Sequence, residues 1–134
     1  MKAIKTKVIA AALVVIAGGF QLAQADDQPV RRTDLVQSKL DVQGQEAIQV
    51  RVDFAPGAIA ARHSHPGEEI AHVLKGTLEY QLGDAKPVTL QAGQSLFIPT
   101  GVVHSAKNVG KGQASELATY IVREGETLVV PEKR

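Results

Sequence analysis

There is no cysteine anywhere in the 134 residues. That absence excludes disulfides, thiolate metal ligands and a lipid-modified lipoprotein, so the fold must rest on its core, helped by a bound ion or a second copy. Any metal site is thereby restricted to nitrogen and oxygen donors. Aromatic residues are scarce, at 4%. With no basic run and no cationic stripe, the chain also lacks the footprint of a nucleic-acid binder. Outside the first 25 residues there is no helical periodicity, no repeat at solenoid spacing and no low-complexity segment. No cluster of arginines is present to grip a polyanion.

One uncharged apolar run, Val8 to Phe20, follows Lys2, Lys5 and Lys7 and precedes Ala23-Gln-Ala25. A positive start, an apolar middle and a small-x-small site before Asp26 read as a cleavable signal peptide over residues 1–25. The run falls short of the roughly 20 residues that span a bilayer, so no membrane attachment is expected after cleavage. A periplasmic or secreted protein is the expectation. Cleavage leaves 109 residues, room for one domain with one core. It also removes three of the fifteen basic residues, leaving twelve against fourteen acidic ones, a net charge of about −2.

Residues 26–32 are polar and read as a flexible N-terminal arm, with the folded domain over 33–134. Thr33 to Ser38 suits a short first strand. In Ala47 to Phe54, Ile48, Val50, Val52 and Phe54 alternate with Gln49, Arg51 and Asp53, the period of a half-buried strand. Further strands are expected before His65, over Glu69–Leu74, Thr77–Leu82 and Pro87–Leu90, and over Ser95–Ile98, where Pro99 ends the ladder. Val102–Lys107, Ser115–Val122 and a last edge strand at Leu128–Val130 complete the series. Short strands punctuated by Gly and Pro every eight to twelve residues predict an all-β sandwich or barrel.

Two stretches carry the chemistry. The first, Gly57-Ala-Ile-Ala-Ala-Arg-His63-Ser-His65-Pro-Gly-Glu-Glu69-Ile-Ala-His-Val-Leu-Lys-Gly76, sets two histidines one residue apart and a carboxylate four residues on. Side chains alternate faces along a strand, so 63, 65 and 69 can point the same way, with Glu68 and His72 on the opposite face. Two imidazoles and a carboxylate form most of a first-row transition-metal site. The second, Gly93-Gln-Ser-Leu-Phe-Ile-Pro99-Thr-Gly101-Val-Val-His104-Ser-Ala-Lys-Asn108, offers His104 from a neighbouring strand.

Together the two stretches resemble the paired motifs of the cupin superfamily, written G-x5-H-x-H-x(3,4)-E-x6-G and G-x5-P-x-G-x2-H-x3-N, and match both at every fixed position. The resemblance covers residues 57–108 and implies a double-stranded β-helix, the jelly-roll barrel of small single-domain cupins. It implies metal ligands His63, His65, Glu69 and His104 around one divalent transition metal, with Mn, Fe, Co, Ni, Cu and Zn all compatible with the donors. A homodimer is implied as well. Four protein ligands leave one or two positions open on an ion preferring five or six, which separates a reactive site from a structural one.

The pocket is expected to be small and mostly apolar, walled by Ala61, Ala71, Val73, Val102, Ala106 and Phe97. Glu69 is the only general base in view. Arg51 and Tyr120 are the large polar residues on long strands, read as surface or packing residues. The motif glycines 57, 76, 93 and 101 read as turn devices where a Cβ would clash. From the resemblance, the leading expectation is an exported metal-dependent oxidoreductase of dioxygenase type acting on a small oxygen-bearing organic molecule. The alternative is a periplasmic metal- or small-ligand-binding cupin without turnover.

Overall fold

The computed structural model describes residues 28–133; the expected signal peptide lies outside them. Ten strands follow one another: β1 (Val30–Lys39), β2 (Gln45–Phe54), β3 (Ile59–Ser64), β4 (Gly67–Lys75), β5 (Thr77–Leu82), β6 (Val88–Gln91), β7 (Ser95–Ile98), β8 (His104–Asn108), β9 (Ala114–Arg123) and β10 (Val130–Pro131). Among the described residues there is no helix, and so none long and apolar enough to cross a membrane. The strands form two antiparallel five-stranded sheets, ordered β1-β2-β9-β4-β7 and β10-β3-β8-β5-β6. This is the expected all-β double-stranded β-helix.

Strand β1 begins at Val30, inside the stretch read as a flexible arm. It pairs with β2 from Val30 opposite Phe54 to Lys39 opposite Glu46, with one register shift between Asp34 and Val36 that leaves Leu35 unmatched. The expected first strand, Thr33–Ser38, lies within it; the polar sequence concealed only the earlier start, because most side chains of β1 are exposed and its order comes from backbone pairing with β2.

The core lies between the sheets. Val50, Val52 and Phe54 of β2 face Leu78 and Tyr80 of β5, with Ala71 and Val73 of β4 and Ala118, Tyr120 and Val122 of β9 filling the same cluster. Each set obeys the period-two rule, so one face of β2, β4, β5 and β9 is consumed by the core. The second motif's final residue, Asn108, is buried inside a hairpin junction. Its Nδ2 donates to the carbonyls of Phe54, Ala55 and Gly112 at 2.8–3.2 Å, and its Oδ1 accepts from Gly110 N at 3.0 Å. Asn108 thus ties the β2–β3 turn to the β8–β9 loop.

The motif glycines work through backbone conformation more than through space. A Cβ at Gly57, Gly93 or Gly101 would meet nothing within 4 Å, yet all three have positive φ. Gly76 alone of the four combines positive φ with a clash, its Cβ falling 2.8 Å from that of Ala114. The tightest approach belongs to Gly67, where β4 crosses so close to β9 that a Cβ would sit 2.0 Å from the Ile121 carbonyl oxygen. That crossing delivers Glu69, two residues on, to the interior.

Candidate metal centre

Both sheets contribute to one buried cluster. His63 is the penultimate residue of β3, His65 follows that strand, His104 opens β8, and Glu69 comes from β4 of the other sheet. All four are buried, at 9%, 3%, 2% and 3% exposure respectively. Pairing of β3 with β8 sets His63 opposite His104. Alternation alone would not put His63 inside, because Ile59 and Ala61, of the same parity, are exposed. An extra residue between Ala60 and His63 shifts the register against β8 and re-aims the strand, the work of a β-bulge. Beyond it the parity holds through Pro66-Gly67: His65, Glu69, Ala71 and Val73 are buried, while Glu68 is exposed.

The imidazoles are oriented by backbone carbonyls. Nδ1 of His63 meets Ala61 O at 2.6 Å, Nδ1 of His65 meets Leu128 O at 2.6 Å, and Nδ1 of His104 meets Val102 O at 2.9 Å. Since a carbonyl can only accept, it places the proton of each neutral ring on Nδ1 and makes Nε2 the nitrogen with the lone pair. One ring nitrogen from each histidine lies within 4.8 Å of the others. Glu69 joins this triad along one side, with Oε2 at 3.0 Å from Nε2 of His65 and 3.2 Å from Nε2 of His104. Despite those separations, His65 Nε2 and Glu69 Oε2 are buried without a hydrogen-bond partner.

The protonation equilibria match this crowding. Burial pushes His63 down to about 4, only partly offset by its bond to Ala61, and the neighbouring His104 and His65 add to the fall. Burial would raise Glu69, but His104 and His65 beside it bring the carboxyl down to about 2. His104 would likewise be lowered by burial; the Glu69 carboxylate and the Val102 carbonyl hold it above its ordinary value. Imidazole nitrogens and a carboxylate therefore converge in a buried space, an arrangement that a cation satisfies. The nitrogen and oxygen donor set fits a divalent first-row transition metal.

A second polar layer lies behind the histidines, and the sequence reading missed it. Glu116 on β9 is 5% exposed and accepts a hydrogen bond from Tyr80 OH on β5, across the two sheets. Burial, reinforced by the Glu69 charge, pushes Glu116 up to about 7, against the pull of the Tyr80 hydroxyl. Burial also raises both tyrosines, Tyr80 further through Glu116 and Tyr120 through Glu69. The signal for Glu116 was its parity with Ala118, Tyr120 and Val122; it was masked because Leu117 and Ile121 make the opposite face of β9 apolar too. Glu69 is therefore not the only buried carboxyl in the barrel.

Tyr120, read as an ordinary surface or packing residue, is buried with its ring 4.6 Å from that of His65, and its hydroxyl accepts from Arg32 Nη2 at 3.2 Å. Arg51 instead pairs with Asp53 at 3.2 Å. His72 bonds Ser95 Oγ at 2.8 Å on the outer face. Phe97 does not wall the pocket: it is 56% exposed, because β7 turns that face outward. Two hollows of about 630 and 530 Å3 contain none of the four cluster residues. A third, of about 210 Å3, reaches His63 and is lined by Val30, Arg32, Ala60, Ala61, Arg62, Val129 and Pro131.

Comparisons with known proteins agree with this architecture. The family model described as cupin domain matches residues 50–120. A germin-like protein, subfamily 2 member 2, of Arabidopsis thaliana is 37% identical over 75 residues, 52% of this chain and 34% of its own. Oxalate oxidase GF-2.8 of Triticum aestivum is 35% identical over 89 residues, 60% of this chain and 40% of its own. The chain thus spans about a third to two fifths of the length of these curated relatives. A solved Klebsiella pneumoniae protein with a double-stranded β-helix domain superposes with a TM-score of 0.65 at 22% identity, over 82% of this chain and 90% of that one. Recombinant oxalate oxidase in complex with glycolate superposes with a TM-score of 0.61 at 28% identity, over 76% and 55% of the two chains. With the family model spanning more than half of its length, the chain belongs to the cupin family.

Proposed function

We propose that the protein is an exported, metal-dependent cupin oxidoreductase of dioxygenase type that acts on a small oxygen-bearing organic substrate. The observation that carries the proposal is the triad's polarity. The Nδ1 atoms of His63, His65 and His104 are engaged by backbone carbonyls, and His65 Nε2 and Glu69 Oε2 are buried with no hydrogen-bond partner. In this reading His63, His65, His104 and Glu69 hold one divalent transition metal, whose identity the donors leave open. Bound there, the ion would supply Lewis-acid polarisation of a substrate oxygen.

The chain's own residues set the conditions. The carbonyls of Ala61, Val102 and Leu128 lock ring orientation and tautomer, and such outer partners are worth about 10–100-fold in metal affinity. Glu69 adds a negative charge that offsets the ion's, and in this reading it serves as the general base. Tyr120 seals the inner side of His65. The hollow at His63 is the approach from solvent, and its small volume excludes bulky molecules. Similarity to oxalate oxidases supports an oxidoreductase reading. Export rests on the leader-like pattern of residues 1–25. The reading also includes a homodimer joined through edge strands, which sedimentation would check.

Two measurements test the proposal. Elemental analysis of protein purified from its own host is expected to show about one metal per chain, lost in His63→Ala and His104→Ala and retained in His72→Ala. Metal retained in the first two variants would overturn the ligand assignment. Oxygen uptake is then followed with a panel of flavonols, dicarboxylates and thiols. Stoichiometric metal with tight ligand retention and no oxygen consumption would identify a binding protein without turnover instead.

A further inference from the structure

Five arginines lie among the described residues, and four of them are matched to a carboxylate. Arg31 and Arg51 both reach Asp53, Arg62 reaches Glu132 and Arg123 reaches Glu126. Among the described residues Arg32 has no such partner. Its one hydrogen bond is from Nη2 to the Tyr120 hydroxyl at 3.2 Å, and its guanidinium stands 5.8 Å from the centre of that ring. Arg32, carried on β1, lines the hollow that reaches His63. Arg62 lines the same hollow, but its Nε and Nη2 serve Glu132 at 2.7 and 3.4 Å and its Nη1 serves Gly83 O at 3.2 Å. Among the described residues, Arg32 is therefore the arginine without a carboxylate partner, and it stands at the entrance with Nε and Nη1 uncommitted.

The rest of the lining is short and aliphatic: Val30, Ala60, Ala61, Val129 and Pro131. A cavity of about 210 Å3 is below the roughly 300–1,000 Å3 that drug-sized ligands require. A planar guanidinium beside a small apolar wall suits a planar anion with a short carbon tail, because the fork matches a carboxylate bidentately. An inorganic anion would leave the aliphatic wall unused.

We propose that Arg32 is a specificity-determining residue that selects small organic carboxylates, holding the carboxylate at the mouth with the carbon tail directed toward His63. The proposal rests on the reading of the histidine cluster as the reacting centre, and deepens it by naming the substrate class. It also assigns a role to β1: the strand carries the recognition group, so its pairing with β2 is a functional requirement as well as a structural one.

The test is calorimetric titration of the full folded protein, Zn(II)-loaded and chelated, with propionate, pyruvate, propionamide and inorganic phosphate. The wild type is expected to bind the two carboxylates in preference to the uncharged amide and to phosphate. Arg32→Gln should weaken that binding by about tenfold or more, since a charge-assisted bond is lost, with zinc content and Tm unchanged. Arg31→Gln, which alters the adjacent outward-facing arginine, should leave it as it is. If Arg32→Gln fails to fold, Arg32→Lys keeps the charge and loses the fork, and a several-fold weakening is the expected result. Unchanged carboxylate affinity in the folded Arg32 variant, equal binding of propionamide or phosphate, or no carboxylate binding to wild type would each overturn the proposal. Failure of zinc to bind would count against the metal reading alone, because Arg32-dependent binding to the chelated protein would survive it.

Discussion

The Glu116–Tyr80 pair offers the sharpest quantitative test of the interior. Glu116 is 5% exposed and its carboxyl is raised from 4.5 to about 7, so little solvent screening applies. Below pH 4.5 the group is protonated in both folded and unfolded chains, and its contribution to stability is complete. As pH rises through about 7 the unfolded chain ionises freely, while the folded chain must retain the proton or bury a charge. At about 1.4 kcal/mol per pH unit across that interval, the native state forfeits about 3 kcal/mol. Replacing Glu116 with Gln keeps an acceptor for the Tyr80 hydroxyl and abolishes the titration. In chelated protein, the stability of Glu116→Gln minus that of wild type should climb by about 3 kcal/mol between pH 4.5 and 8, on the order of 10 °C in Tm. Taking the difference cancels the opposite trends of His63 and Glu69, whose lowered values favour the native state as pH rises. Urea unfolding at a series of pH values measures it. A difference independent of pH would refute the reasoning, for it would mean that Glu116 ionises in the barrel as it does in water.

Other outcomes follow from the same geometry. Chelation of metal-loaded protein should lower Tm, because an ion present at 100 times its Kd stabilises the native state by about 2.7 kcal/mol; identical melting curves before and after would argue that no ion was held. Asn108→Ala should cost roughly 3 kcal/mol in chemical unfolding, since it leaves buried carbonyls and one N–H without the partner that now serves all of them. Metal content per folded chain should be unaffected, and its loss would show that Asn108 acts on the site directly. Gly67→Ala should reduce stability by more than the about 1–3 kcal/mol usual for overpacking, because the obstacle at 2.0 Å is backbone and cannot rotate away; a variant as stable as wild type would mean that β4 and β9 can separate at no cost.

Much of this protein was determined locally along the chain. Turn residues and period-two alternation marked nearly every strand, and Thr77–Leu82 and Ser95–Ile98 coincide with β5 and β7. Parity between His65 and Glu69 was legible because a strand permits only two directions, and it separated Glu69 from Glu68 correctly in burial. Residues whose order or direction depends on a partner strand were not legible. The start of β1 at Val30, ahead of the expected Thr33, comes from pairing with β2, and His63 faces inward through a bulge against β8, which no reading of β3 alone discloses. Glu116 and Tyr120 lie 84 and 88 positions after Arg32, so the strands that carry them must pair before the three come near one another. Spacing in one dimension states which groups can share a face; only the packed sheets decide which of them lose water together, and it is that loss that shifts their charges and gives them chemistry.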